Sequence, residues 1–453
     1  MNKFIEIDQV LERKMDDSIM ELSRLVAQPS ISATAVGLKE CAQVVNTMLK
    51  VRGFDVREFT DGIAPILFAE RKGKSEKTIL FYNHYDVQPA EPIELWNSPP
   101  FKPEIRDGRL FGRGTCDNKG NITNRLFTLD AYEEVIGEYP CHVKFLIEGE
   151  EEVSNKHLAD FVSEYSPLLS ADACIWEFGG VDHTDMPVQY LGLRGCCYVQ
   201  LDVEVANQDV HSGIGGSIFP NAAWRLVWAL NSLKDPDEKI LLPNFYDKVI
   251  PPSKRDIELM DQLPDEGEQL KELYGIKGFL KGIQGGTELK LAEVFEPTCT
   301  ICGLSSGYQG SGSKTILPAK ANAKIDFRLV PDQTPSDVLK QLRQHLDSLG
   351  FEDIVITDLG GDLPERTDPD DPFIQMLVST AEEVYGSAMR IMPMTGGSGP
   401  NYIIKQALKI PIGSMGVGYP ESNAHAPNEN IRLDHYLKAA KHLARALQRF
   451  GES

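Results

Sequence analysis

The stretch Thr78-Ile79-Leu80-Phe81-Tyr82-Asn83-His84-Tyr85-Asp86 runs from a strongly apolar strand into a polar end. The pattern recurs downstream. Val143 to Ile147 leads into Glu148-Gly149-Glu150-Glu151-Glu152, and Ala173 to Trp176 stops at Glu177. Ile410 to Val417 then enters a loop, Gly418 to Asn428, that holds His425. Helical periodicity separates these strands, so the chain reads as an α/β fold with a mixed, mostly parallel sheet flanked by helices. Open α/β sheets build their sites beyond the carboxyl ends of the strands. His84, Glu151, Glu152, Glu177 and His425 are therefore expected to converge, although they lie far apart in the sequence.

Between the first two of these strands lies Gly112-Arg113-Gly114-Thr115-Cys116-Asp117-Asn118-Lys119-Gly120, after a short polar, hairpin-like segment. Glycines on both sides of an acid let the backbone bend sharply and bring that acid into a crowded site. A carboxylate has two oxygens, so Asp117 is able to bind two cations at once. The converging histidines and acids would complete a pair of metal sites. An amphipathic helix is expected next, with Leu126, Leu129, Tyr132 and Val135 near helical spacing. Upstream, residues 10–27 form a first helix ended by Pro29, and a second runs from about Lys39 to Arg52, closed by Gly53. The final helix turns Leu433, Tyr436, Leu437, Ala440 and Leu447 inward and leaves His435 and His442 off the apolar stripe, in solvent.

A chain of 453 residues is too long for one ordinary core, so two domains are expected. Between Gly192 and about Leu359 the strands Tyr198 to Val205 and Ala323 to Val330 alternate apolar and polar residues, as in an antiparallel sheet with one wet face. Residues 192–360 thus read as an α+β domain inserted into a first domain of residues 1–191 and 361–453. Residues 234–297 decorate the insert with helices and loops.

The formal charge of -21 argues against nucleic acid or an anionic membrane surface as the main partner, and serves solubility. No apolar run reaches membrane-spanning length. Met1 to Asp8 carries acids where a signal peptide would be apolar, so a cytoplasmic location is expected. Eight cysteines in a chain of this size do not read as a disulfide framework. Cys299 and Cys302 share a strand-like run whose alternation aims their thiols at opposite faces, which favours structural cysteines over a redox or zinc pair.

Each polar cluster also has a plainer reading. His84 and Asp86 fit a metal-ligating imidazole with its orienting acceptor, and equally a local hydrogen bond. The acids from Glu148 to Glu152 fit a solvated face. At the end of a buried strand, however, such charges repel unless cations neutralise them. His211 and His425 lie in loops of small and polar residues, which often carry function. His142, His157, His183 and His345 have no supporting constellation.

Taken in order, the motifs at His84 to Pro89, Gly112 to Gly120, Glu148 to Glu152, Gly192 to Gly195, His211 to Gly213 and Ala424-His425 make a set. That set resembles the di-zinc metallopeptidase family of carnosinase-like cytosolic dipeptidases, glutamate carboxypeptidases, aminoacylases and acetylornithine deacetylases. The resemblance covers nearly the whole chain. The residues around His84 and the stretch Gly310 to Thr315 lean toward its dipeptidase branch.

The resemblance implies a set of metals and a role for each site residue. Each chain would hold two Zn2+, with Mn2+ or Co2+ also suited to mixed imidazole and carboxylate ligands. His84 and Glu177 would bind one ion, Glu152 and His425 the other, and Asp117 would bridge them. Asp86 would orient His84. Glu151 would be the general base acting on a water shared by the ions. The Asp117–Asn118 peptide would be cis. The insert would be a lid and dimerisation domain, and His211 would stabilise an oxyanion in the neighbouring subunit of a homodimer. Arg328 would bind a substrate carboxylate, although by itself it also reads as a strand-surface charge; Thr315 and Ser398 would contact substrate.

The implied reaction is cleavage of the amide bond of dipeptides or similar small substrates with a free carboxylate. The alternative is an N-acyl amino-acid deacylase or a carboxypeptidase on the same metals. Two departures bear on that choice: Glu177 stands where carnosinase-like members often carry Asp, and no Arg-Glu pair precedes Gly396. A non-catalytic binding protein on this fold is disfavoured because the ligands and the base are all present.

Overall fold

The apolar runs form a six-stranded sheet in the computed structural model, which describes residues 3–153 and 156–453. Its strands in chain order are β1 (Asp55–Phe59), β2 (Ile66–Arg71), β3 (Thr78–His84), β4 (His142–Glu148), β5 (Ala173–Trp176) and β6 (Ile412–Ser414). They lie side by side as β1-β2-β4-β3-β5-β6. β3 pairs in parallel with β4, His84 opposite Glu148, and in parallel with β5, Ile79 opposite Ala173. β6 adds a further parallel strand to β5, while β1 and β2 are antiparallel to their neighbours. The central strands are almost wholly buried, as parallel strands covered on both faces must be.

The last strand is shorter than the apolar run from 410 to 417. After Ser414 the chain leaves β5, and the Val417 N–H donates to Asn121 Oδ1 at 3.0 Å while Gly418 exchanges backbone hydrogen bonds with Gly179 and Val181. At the amino end two helices, Lys3–Arg13 and Met15–Ala27, replace the single expected one, broken at Lys14.

The helix Lys119–Ile136 departs further from expectation: it is not amphipathic. Every residue from Lys119 to Leu129 is buried, because the helix runs between the sheet and the helices Lys3–Arg13, Met15–Ala27 and Leu433–Glu452. Its polar side chains are paired instead of solvated. Lys119 Nζ donates to the carbonyls of Leu25 and Gln28, and Asn124 Nδ2 to that of Tyr436.

His435 and His442 are also corrected by the structure: both are buried, not solvated. Their helix packs against the Lys119–Ile136 helix and against Pro372–Tyr385, so its buried face is wider than its apolar stripe. His442 Nε2 donates to the Leu377 carbonyl at 3.0 Å, and the Tyr385 ring lies close to both imidazoles, 5.9 and 6.0 Å between centroids.

The chain divides into two compact units. The first comprises Met1–Leu191, Thr367–Met392 and Ile403–Ser453; the second comprises Gly192–Arg366 and Pro393–Tyr402. The second unit holds a four-stranded antiparallel sheet in the order Thr298–Ser306, Lys320–Leu329, Gly195–Glu204, Val355–Asp362. Alternate residues of Gly195–Glu204 are buried, and Val199, Leu201, Ala323 and Ile325 pack with Leu226 and Leu342 of two helices in one core. Between 234 and 297 lie the helices Lys254–Asp261, Gly267–Tyr274 and Gly286–Phe295. Cys299 is buried, Cys302 exposed, and all eight cysteines are free thiols. No helix among the described residues is long and apolar enough to cross a membrane.

Burial pulls the pKa of His435 and of His442 down to about 4. The unfolded chain protonates these rings near their ordinary value of about 6.5. It therefore binds more protons than the folded chain between those values, and this part of the stability falls as pH drops from about 6.5 to about 4. His442→Gln should flatten that dependence, read from urea midpoints at a series of pH values. An unchanged slope would assign the acid sensitivity to other groups.

Candidate metal centre

Beyond the carboxyl ends of β3, β4 and β5 the chain brings together residues from five places in the sequence. β3 ends at His84, whose ring is buried. Its Nε2 lies 2.9 Å from Asp117 Oδ1 and 2.9 Å from Glu177 Oε2, the acid that directly follows β5. The other oxygen of Asp117, Oδ2, is 3.1 Å from His425 Nε2. That nitrogen is in turn 3.1 Å from Glu152 Oε2 on the short 3-10 turn Glu151–Val153 after β4. Asp117 thus stands between two groups, His84 with Glu177 and His425 with Glu152. The Asp117–Asn118 peptide that follows it is cis.

Asp86 supports both groups from beneath. Its Oδ1 is 3.2 Å from His84 Nδ1, and its two oxygens accept the N–H groups of Glu151 at 3.3 Å and Glu152 at 3.0 Å. The side of the site at His84 is closed and the side at His425 is open: their side chains are 1% and 53% exposed.

The electrostatics arise from packing acids around two imidazoles. Burial opposes the charged ring of His84, yet Glu177, Asp117 and Asp86 outweigh it and carry its pKa well above the usual value. Hydrogen bonds to Asp117 and Glu152 raise His425 to about 10. Despite its burial, Asp117 is held well below the usual carboxylate range by the same two histidines. Two other acids move the other way: burial pushes Glu148 up to about 8, and burial with the charge of Glu177 raises Glu151 well above its ordinary value.

The residues fit a metal ion. Each Nε2 faces two carboxylate oxygens, and one N–H serves only one of them. Glu152 Oε1 is buried with no hydrogen-bond partner. Single donor atoms of His84, Asp117 and Glu152 all lie within 4.8 Å of one another, a grouping that could hold a cation. Imidazole nitrogen with carboxylate oxygen suits zinc, manganese or cobalt.

The other expected site residues belong to the second unit, in two pairs. His211 and Thr315 lie together: Val210–His211 pairs with Ile316–Leu317, and the Ser212 N–H donates to the Thr315 carbonyl at 3.0 Å. His211 is exposed, its Nδ1 accepting the Gly213 N–H at 3.0 Å. Arg328 Nη1 donates to Ser398 Oγ at 2.8 Å, and its Nε to Asp326 Oδ2 at 2.9 Å.

Three residues around the first-unit cluster are not picked out by sequence reasoning. Gln88 Nε2 donates to Glu152 Oε2 at 2.9 Å. Arg125, buried, donates to the carbonyls of Tyr82 at 2.7 Å and Trp176 at 2.5 Å and to Asn83 Oδ1, so it ties together the ends of β3 and β5. Glu429 is buried on the His425 loop. Gln88 lies inside the His84 motif and Glu429 four residues after His425, so adjacency was an available signal; Arg125, in mid-helix, gave none.

A profile of peptidase family M20/M25/M40 matches residues 80–449. The chain is similar to the Cys-Gly metallodipeptidase dug1 of Schizosaccharomyces pombe, 28% identical over 464 residues that span 96% of this chain and 95% of that protein. Among solved structures it is similar to the M20 family metallo-carboxypeptidase Sso-CP2 from Sulfolobus solfataricus. There the identity is 35% and the TM-score 0.90, over 96% of this chain and 99% of that one. Human carnosine dipeptidase 1 superposes with a TM-score of 0.83 at 25% identity over the full length of both chains.

Arg125→Met would leave three buried acceptors without their donor. A hydrogen bond to a charged group is worth about 1.5–3 kcal/mol, so unfolding free energy from urea titration should fall by about 3 kcal/mol or more. A loss under about 1 kcal/mol would mean that the strand ends hold without it.

Proposed function

Because the chain belongs to peptidase family M20/M25/M40, we propose that it is a metal-dependent hydrolase of the amide bond in dipeptides or similar small substrates with a free carboxylate. One observation carries this reading: Asp117 offers one oxygen to each of two His–Glu groups, with Glu151 next to a member of one of them. His84 and Glu177 are the proposed ligands of one Zn2+, Glu152 and His425 of a second, and Asp117 is shared. Bound there, the ions would polarise the scissile carbonyl and acidify a water.

The remaining work falls to the side chains. Asp86 holds the ring of His84 through Nδ1 and fixes the backbone of Glu151 and Glu152. Glu151 accepts a proton from the attacking water and returns it to the leaving amine. His211 donates to the oxyanion in the partner subunit of a homodimer. Arg328 binds the substrate carboxylate, with Ser398 and Thr315 as further contacts. A dimer is supported by the helix Ala222–Asn231, which leaves Trp224 and Trp228 56% and 57% exposed, an apolar face suited to a partner. Eight free thiols support a reducing, cytoplasmic setting.

A second reading, carboxypeptidase or N-acyl amino-acid deacylase, is favoured by Glu177 and by the likeness to Sso-CP2. Kinetics on dipeptides, longer peptides and N-acyl amino acids separate the two. Dipeptides should turn over best, and turnover of acyl compounds alone would reject the dipeptidase reading.

Glu151→Gln should abolish turnover while elemental analysis still finds about two zinc ions per chain; retained activity would remove Glu151 as the base. Arg328→Ala should raise KM about 10–100-fold with a smaller change in kcat, the loss of one charged hydrogen-bonding partner. An unchanged KM would leave Arg328 a strand-surface charge.

A further inference from the structure

The loop that carries His425 ends in a buried acid that the proposed reaction does not use. Glu429 is 0% exposed, and its carboxylate accepts four hydrogen bonds, all from the Asp117 loop. Oε2 takes Arg113 Nη1 at 2.8 Å and the Gly114 N–H at 2.8 Å. Oε1 takes the N–H groups of Cys116 at 2.9 Å and Asp117 at 3.0 Å. The Glu429 carbonyl accepts the Gly112 N–H at 2.9 Å, and the next three residues, Asn430–Arg432, pair with Arg109–Phe111. Arg113 extends the connection: its Nη2 donates to the carbonyl of Pro89, at the end of the His84 loop, at 3.1 Å.

One carboxylate therefore joins the three loops that carry His84, Asp117 and His425. Four donors on two oxygens fill its acceptor positions. A buried acid–guanidinium pair of this kind adds little net stability but fixes geometry, because a displaced partner would leave a bare charge inside the protein. The backbone N–H of Asp117 is itself one of the four donors. Glu429 thus sets the orientation of the peptide from which the Asp117 side chain reaches toward His84 and His425.

We infer that Glu429 is a positioning residue for the metal centre: through Arg113 and three backbone N–H groups it holds Asp117 in the posture that lets one oxygen face each histidine. This inference rests on the metal-centre reading of the same cluster. Glu429 lies behind the ligands and acts through them. The charge of its carboxylate is spent on the loop, and its two-sided acceptor geometry is what matters. An amide at this position would turn a donor toward one pair of N–H groups and push that part of the loop away.

The test compares wild type, Glu429→Gln and Glu429→Asp. Zn2+ alone is titrated against a competing chelator, and the visible absorption of the Co2+-loaded proteins reports the ligand geometry. Loss of an outer partner of a metal ligand costs about 10–100-fold in metal affinity. Glu429→Gln should lose affinity in that range and change the Co2+ spectrum while keeping its far-UV circular dichroism; Glu429→Asp should recover part of both. If Glu429→Gln fails to fold, Arg113→Lys, which keeps the charge but loses the planar fork, carries the same expectation. Variants that melt earlier yet keep wild-type Zn2+ affinity and Co2+ spectrum would overturn the inference and leave Glu429 a stability residue. A wild-type protein that takes up no Zn2+ would overturn the metal-centre reading and the inference with it.

Discussion

Asp117 divides its two carboxylate oxygens between two imidazoles. The packing around it answers a single constraint: Glu148, Glu151, Glu152 and Glu177 crowd into the same protected region, where like charges repel. Burial drives Glu148, Glu151 and Glu177 toward their neutral forms. The two histidines offset part of that charge, and the donor set is one that cations would complete. The permanent cations nearby are used elsewhere. Arg125 bonds to strand carbonyls, Lys119 to carbonyls at the end of a helix, and Arg113 to Glu429. None of these three donates a hydrogen bond to Asp117, Glu152 or Glu177, the acids that face His84 and His425.

Support for the cluster is built in layers. The parallel strands β3, β4 and β5 set their carboxyl ends side by side, and Arg125 fastens two of them. Asp86 then couples His84 to the turn that bears Glu151 and Glu152. Glu429 couples the Asp117 loop to the His425 loop. Such a backing of residues behind the His84, Asp117 and His425 side chains is expected when a few atoms must be held to a fraction of an ångström. The second unit is stabilised by its own sheet and helices and keeps its two candidate pairs, His211 with Thr315 and Arg328 with Ser398, within its own framework.

Much of the fold was readable because apolar strands with polar ends leave a strong local signal. The strands at 78–84, 142–148 and 173–176, and the alternating strands of the second unit, stand close to where their patterns put them. The readings that failed concern burial from more than one side. Lys119 to Leu129 looks like one face of a surface helix, yet the sheet and three helices enclose it. His435 and His442 sit off the apolar stripe but face a second neighbouring helix. Periodicity records how many apolar faces a segment has and is silent about polar side chains that find buried partners.

The sequence by itself determined which residues are candidates for chemistry and that several of them stand at strand ends, because strand alternation and glycine-flanked acids are local patterns. It also determined the family, through motifs that keep their order along the chain. Only the tertiary structure decided which oxygen of Asp117 faces which histidine, that Asp86 serves two loops, and that Glu429 and Arg125 bind the site together. The physical reason is separation. Glu429 meets the N–H of Asp117 across 312 residues, and a hydrogen bond between such distant positions leaves no periodic trace in the sequence.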